Sequence, residues 1–260
     1  MGSILGKFIR ANAVLPRLWN TVTETFRWIW KTNEVTNFDY YISPQSKNYG
    51  IILLSQILQK DVEELEGYAL EIENDQELFQ SLSENVARSP IRGILRKNPV
   101  LGRRVFWYVI VRATKPRIVV ETGTDKSLGT AILARALQKN GTGEVYTVDI
   151  VQPRGYLQDQ GRLNLPIKFI TMDSHEFLSN TSVEIDIFLH DSNHEYNYEL
   201  EEYSRAFEKL SDEGILLSDN SNQNSSLYDF ARSKNLRFFN IENTPLNFPF
   251  ERNTLGLTRK

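Results

Sequence analysis

The chain has 260 residues, of which 40% are hydrophobic, enough to bury a full core in one large catalytic domain with an extension. Its formal net charge of −3 gives no global basic footprint for nucleic acid, and the absence of cysteine excludes disulfides and thiolate-bound metal, so any cation must be held by oxygen or imidazole ligands. There is no uncharged apolar run of about 18 residues and no signal core with a small-residue cleavage site, so a soluble, non-exported, cytoplasmic protein is expected.

In chain order, the first segment sets Ile4, Leu5, Phe8 and Ile9 at helical spacing, followed by Trp19, Phe26, Trp28 and Trp30. Lys7, Arg10, Arg17, Arg27 and Lys31 are interleaved, with Glu24 the single acid. Residues 1–31 therefore suit the surface of an anionic membrane, which would make the protein membrane-peripheral, or an amphipathic helix docked on its own domain or on a second subunit in a homo-oligomer. Gly6 stands where a myristoylation signal requires Ser or Thr. From Asn48 to Ala87 the apolar positions Ile51, Leu54, Leu58, Val62, Leu65, Tyr68 and Ile72 recur mostly at threes and fours, predicting helices, and Pro90 and Pro99 punctuate the stretch before Arg103. Residues 61–84 hold nine acids and no base, while Arg88–Arg117 hold nine bases and no acid. The two blocks are expected to be complementary helix faces, or the basic one the rim of a site for an anionic substrate. Residues 1–100 read as a helical cap, and a further helix over Arg103–Ala113 leads into residues 101–260.

Beyond Pro116 strands and helices alternate, which predicts an α/β fold: a Rossmann-like, mostly parallel sheet flanked by helices on both faces. The predicted strands are 117–121, 144–149, 167–171 (IKFIT) and 185–190 (IDIFLH), then GILLS from Gly214, RFFNI and LGLT, seven in all. Helices are expected over 128–139 and 227–233. Between the fourth and fifth strands, Tyr196, Leu200, Tyr203, Phe207 and Leu210 form an apolar stripe, with Glu199, Glu201, Glu202 and Glu208 on other faces.

Arg117–Gln138 reads RIVVETGTDKSLGTAILARALQ, a strand breaking into a glycine turn that opens a helix. Counted from Gly123, a dinucleotide fingerprint would need glycines where Asp125 and Leu128 stand, which disfavours an NAD-dependent oxidoreductase. The pattern left, Glu121-x-Gly123 with Gly129, suits a cofactor without phosphates. Ligands of such sheets sit outside the carboxyl ends of the strands, and Glu121, Asp149, Asp173, Asp191 and Asp219 put one acid at each of five ends. Asp149 could hold a ribose diol or cap the following turn; Asp173 could face a ligand with Ser174 or act as the N-cap of the next helix. Asp191, Asp219 and Asn220 offer oxygen ligands that suit magnesium or another hard divalent cation, without which the acids would repel each other.

At these residues the chain resembles the class I S-adenosylmethionine (SAM)-dependent methyltransferases, in their small-molecule O-methyltransferase branch. ETGTDKSLGT is similar to the first motif of that family, with Ser127 at a place usually held by glycine. HDSNHEY (His190–Tyr196) is similar to the Asp-x-x-His-x-Tyr stretch of macrolide-sugar O-methyltransferases, through Asp191, His194 and Tyr196. SDN (Ser218–Asn220) is similar to the Asp-Asn pair of catechol-type enzymes. The resemblance spans residues 103–258. It implies a SAM site formed by Glu121, Thr122, Gly123, Thr124, Ser127, Asp149, Asp173, Ser174 and Asp191. It also implies Mg2+ or another divalent cation on Asp191, Asp219 and Asn220, with His194 and Asp191 catalytic. His194 would take the proton of the acceptor, unless it makes only a structural hydrogen bond. His190 would lie behind the site and His175 on the surface. The implied reaction is methyl transfer to a hydroxyl of a small molecule or sugar, not a nucleic acid. The first hundred residues and the loops 150–166 and 243–253 would choose the acceptor. A metal-independent methyltransferase and a noncatalytic partner protein of the same fold are the alternatives.

Overall fold

In β1 (Ile118–Thr122), the central strand, Val119 and Val120 join two different cores, because successive side chains of a strand leave its opposite faces. The computed structural model describes residues 3–31, 40–152, 155–157, 163–246 and 253–260. The remaining strands are β2 (Glu144–Asp149), β3 (Ile167–Thr171), β4 (Ile185–His190), β5 (Leu210–Asp219), β6 (Phe238–Asn243) and β7 (Asn253–Arg259). They form one seven-stranded sheet in the order β3-β2-β1-β4-β5-β7-β6, parallel except where β7 runs against β5 and β6. The predicted α/β class and the strand count agree with this sheet.

On one face lie α5 (Arg104–Thr114) and α6 (Leu128–Asn140), whose Trp107, Ile110, Ile132 and Leu133 bury against Val119, Val145, Ile187 and Ile215 of the sheet. Three earlier helices, α2 (Pro44–Leu58), α3 (Val62–Glu73) and α4 (Gln76–Arg88), enter the same core through Leu54, Leu65 and Leu82. Their boundaries follow the turn chemistry: Pro44 opens α2 behind the Ser43 cap, and Asp75 caps α4 by accepting from the Leu78 N–H. The helix α1 (Ile4–Lys31) stands apart, with no buried residue.

The opposite face carries α7 (Ser174–Asn180), α8 (Tyr196–Lys209) and α9 (Ser226–Ser233), packed through Phe177, Tyr203, Leu227 and Phe230 on Val120, Val148 and Leu216. The buried face of α8 differs from the predicted stripe. It is Glu199, Glu202, Tyr203 and Ala206, whereas Tyr196 is exposed and Leu200 and Phe207 only partly covered. The stripe lies along the edge of the buried face because two carboxylates occupy its centre. β5 also starts at Leu210 and not at Gly214: the helix passes straight into the strand, and the pairing with β4 jumps from Ile185–Leu210 to Ile187–Ile215, placing Gly214 in a bulge.

The charge blocks pair only in part. Arg112 binds Glu71 at 2.7 Å, but Asp75 pairs with Arg135 of α6 at 2.6 Å. Of the two loops expected to choose the acceptor, residues 153–154, 158–162 and 247–252 lie outside the described residues.

Two glycines of neighbouring helices should respond oppositely to alanine. A Cβ at Gly50 of α2 would stand 2.3 Å from the Phe106 ring, and one at Gly67 of α3 meets nothing within 4 Å. In urea unfolding, Gly67→Ala is expected to stabilise by up to about 1 kcal/mol and Gly50→Ala to destabilise by about 1–2 kcal/mol. Shifts of the same sign would contradict this packing.

Candidate active site

Strand order reverses between β1 and β4, where a crevice opens outside the strand ends. At that point the chain leaves β1 through Gly123, whose φ of +88° and N–H bond to Val148 O at 2.9 Å turn it across the end of the sheet. A Cβ there would lie 2.0 Å from the carbonyl oxygen of Asp191, so the turn rests directly on the residue that follows β4. Gly129 is equally constrained, because a Cβ would press on the Trp107 ring and the Glu121 carboxylate, 2.6 and 2.8 Å away.

A cavity of about 340 Å3 lies outside β1, β2 and β4, lined by Gly123, Asp149, Ile150, Met172, Ser174, Asp191 and Tyr198 among others. A smaller recess beside it is lined by Arg104, Glu121, Thr124, Ser127 and, again, Gly123 and Asp191. Of the residues expected at a cofactor site, Glu121, Gly123, Thr124, Ser127, Asp149, Ser174 and Asp191 thus come together. Thr122 and Asp173 line neither space. Thr122 is buried and donates from Oγ1 to Glu202 at 3.1 Å. Asp173 caps α7, accepting from the N–H groups of His175 and Glu176 at 2.9 and 3.2 Å.

Asp149 caps the turn after β1 and the one after its own strand. It lines the cavity, while its Oδ2 accepts from the N–H groups of Thr124 and Asp125 at 2.8 and 3.2 Å and its Oδ1 from Val151 N–H at 2.9 Å. Glu121 is buried, accepting from Thr130 and Thr147 at 2.5 and 2.7 Å, and burial pushes its carboxyl up to about 7. Ser127 takes the left-handed conformation expected of glycine, with φ at +61°. The loop tolerates it because its Oγ accepts the Leu157 N–H at 3.1 Å and donates to Lys126 O at 2.6 Å.

Asp191, Asp219 and Asn220 gather as expected, but the cation role is taken by an arginine. Arg103, just before α5, binds both carboxylate oxygens of Asp219, and both side chains are buried. Burial alone would raise Asp219; the guanidinium overrides it and holds the carboxyl below its ordinary value. Asp191 is raised well above its ordinary value, by burial first and then by the negative Asp219 beside it, with which it shares a hydrogen bond. The guanidinium and the Asp219 carboxylate balance each other, and the upward shift of Asp191 eases the repulsion that called for magnesium. With both Asp219 oxygens engaged, the residues expected to hold a divalent cation do not fit one as arranged here, and form an Arg103–Asp219–Asp191 cluster instead. Asn220 turns instead to the imidazole, its Nδ2 3.3 Å from His194 Nε2.

The largest feature missed in the sequence lies beneath His194. Glu202, His190, Glu199 and His194 alternate carboxylate and imidazole in one network. His190 Nδ1 is 2.5 Å from Glu202 Oε2, and its Nε2 is 3.2 Å from Glu199 Oε1 but without hydrogen-bond alignment. His194 Nδ1 lies 3.0 Å from Glu199 Oε1, with Ser226 and Tyr203 also donating to Glu199. Burial disfavours a charged His190, but the two carboxylates outweigh it and raise its pKa to about 9. Glu199 in turn is held far below the usual carboxylate range, against its burial, by the His190 imidazole beside it and the hydrogen bond from His194. The donor atoms of His190, His194 and Glu199 lie within 4.8 Å of one another, and this proximity is accounted for by the hydrogen-bonded network. With Nδ1–H donating to Glu199 and Asn220 Nδ2 donating to Nε2, the assigned tautomer leaves the lone pair of His194 on Nε2, 3.9 Å from Asp191 Oδ1. His175, expected on the surface, is partly buried and stacks on Tyr198 at 4.1 Å, and Tyr196 donates to Asp229 at 3.1 Å.

Residues 120–221, which span β1 to the end of β5, match the family model for a methyltransferase domain. Over this stretch the chain is similar to methyltransferase domains, and its seven-stranded sheet is the Rossmann-like fold expected from the sequence. No curated protein matches it. Among solved structures it is similar to one from Klebsiella pneumoniae described as a candidate O-methyltransferase, with 13% identity over 70% of this chain and 89% of that one and a TM-score of 0.51. It is also similar to an O-methyltransferase from Bacillus cereus in complex with SAH, with 14% identity over 72% of this chain and 92% of that one and a TM-score of 0.50. At such identities the likeness concerns the fold.

The buried imidazolium gives a pH test of the methyltransferase domain. His190 is raised from 6.5 to about 9 in the folded state, so the stability it supplies is present below pH 6.5 and lost as pH rises through about 9. Urea unfolding should show stability falling across this window by on the order of 1–3 kcal/mol, and His190→Gln should remove that decline. Equal slopes in the two proteins would contradict the assignment.

Proposed function

We propose that the chain is a SAM-dependent O-methyltransferase acting on a hydroxyl of a small molecule or sugar, with His194 as base and no divalent cation in the reaction. The observation that carries this reading is His194 next to the cavity-lining Asn193 and near Asp191 at the β1–β4 switch point, with Glu199 behind its ring. The cavity is large enough for a nucleoside, and Asp149 at the end of β2 is placed to accept from a ribose hydroxyl. The SAH complex of the Bacillus cereus neighbour and the O-methyltransferase descriptions of both neighbours favour the same ligand and acceptor atom.

SAM supplies an electrophilic methyl group on a sulfonium. The acceptor oxygen attacks that carbon in line, the C–O bond forms as the C–S bond breaks, and S-adenosylhomocysteine (SAH) leaves as a neutral thioether. The hydroxyl proton passes to His194 Nε2, the acceptor hydroxyl taking the place of the Asn220 amide there. Glu199, accepting from Nδ1–H, fixes the ring and stabilises the imidazolium that forms, the part a carboxylate plays behind any catalytic histidine. Arg103 keeps the neighbouring acids balanced, so that the pocket floor needs no metal ion.

Calorimetric titration with SAH is expected to show binding in the presence of EDTA, unchanged in His194→Ala and weakened by about tenfold or more in Asp149→Ala. With an acceptor found by screening sugars and phenols for methyl uptake from SAM, His194→Ala should lower kcat by about 10²–10⁴. EDTA should not lower it. Loss of turnover on chelation, restored by Mg2+, would instead favour the metal-dependent reading; full activity of His194→Ala would remove the base.

A further inference from the structure

We infer that α1 is a membrane-surface helix, which lays its apolar face into the headgroup region of an anionic bilayer and tethers the methyltransferase domain there. Phe8, Leu15, Trp19, Val22, Phe26 and Trp30 follow one another at steps of seven, four, three, four and four, which places them on one side of the helix. Arg10, Arg17, Glu24 and Lys31 recur every seven residues on the other side. Nothing in the described structure covers the apolar side. No residue of α1 is buried, and Phe8, Trp19 and Trp30 are 66, 70 and 77% exposed, so docking on its own domain does not account for the pattern.

The charge decides what the occupant is. α1 holds five bases and one acid, and that acid, Glu24, is already paired with Arg27 at 3.0 Å, whereas the whole chain has a net charge of −3. The helix thus carries net positive charge while the rest of the chain is net negative despite its basic block at Arg88–Arg117, so an anionic surface attracts α1. With Phe8, Trp19, Phe26 and Trp30 opposite Arg10, Arg17 and Lys31, and Trp28 alone among the aromatics on the basic side, the helix has the composition of one lying in the interface plane. Spanning is excluded for it: no described helix is long and apolar enough to cross a membrane. At about 1.5 Å per residue its 28 residues extend roughly 42 Å along the surface.

Vesicle flotation of the full chain tests this. The protein should float with phosphatidylcholine vesicles containing phosphatidylserine, bind pure phosphatidylcholine far less, and be released by high salt. The pair Arg10→Glu and Arg17→Glu should lower partitioning by more than about tenfold. Phe8→Ser with Trp19→Ser and Phe26→Ser should abolish it, with the thermal unfolding of the domain unchanged because α1 lends nothing to its core. A chain that stays out of the floating fraction would overturn the inference. So would a dimer in sedimentation that the same apolar substitutions dissociate while vesicles capture nothing, since a second copy would then be the occupant.

Discussion

The backbone contact between Gly123 and the carbonyl of Asp191 is the constraint on which the site depends. It exists because β1 and β4 are neighbours in the sheet but lead to opposite sides of it, so their two exits must share the space above the strand ends. Any side chain at position 123 would force these exits apart. With them in contact, the first loop presents its N–H groups to Asp149 on one side, and the segment after β4 delivers Asp191 and His194 on the other. The cavity and His194 are therefore not separate inventions of the chain. They are the two margins of one turn.

Burying so many charges at that turn is tolerable only because they are ordered in sign. Glu202, His190, Glu199 and His194 alternate, and Arg103 and Asp219, with the upward-shifted Asp191 beside them, form a second group alongside. In each, a buried ion is stabilised by partners of opposite charge, the condition under which such groups persist in an interior, while His190 Nε2 and Arg103 Nη1 have no hydrogen-bond partner among the described residues. The two groups meet where Asn220 reaches His194. Arg103 matters most to the chemistry, since a guanidinium fixed in the scaffold supplies at the acids what a cation would otherwise supply.

Much of this was legible in the sequence because it is local. Strand ends followed by acids, the glycine turn after β1 and the stretch from His190 to Tyr196 all lie within a few residues of the positions that define them. What escaped depends on distance along the chain. Arg103 meets Asp219 across 116 positions, and in sequence it was one base in a basic block. Glu199 and Glu202 looked like solvent-facing acids because an apolar stripe was visible beside them. A helix of this pitch cannot reveal that its buried face centres on carboxylates until the histidine of β4 is placed opposite. Ser127 is the reverse case: the sequence marked a residue without glycine's freedom, and the structure supplies the reason, a hydroxyl bonded to the Leu157 N–H.

The account is most directly tested by a crystal structure of the full chain soaked with SAH and magnesium together. It calls for the adenosyl group between Gly123 and Ser174, its sulfur on the side of His194, and Arg103 still bound to Asp219 with no ion between Asp191 and Asp219. A magnesium ion held by those two carboxylates, with Arg103 displaced, or a nucleoside bound away from the β1–β4 crevice, would contradict it.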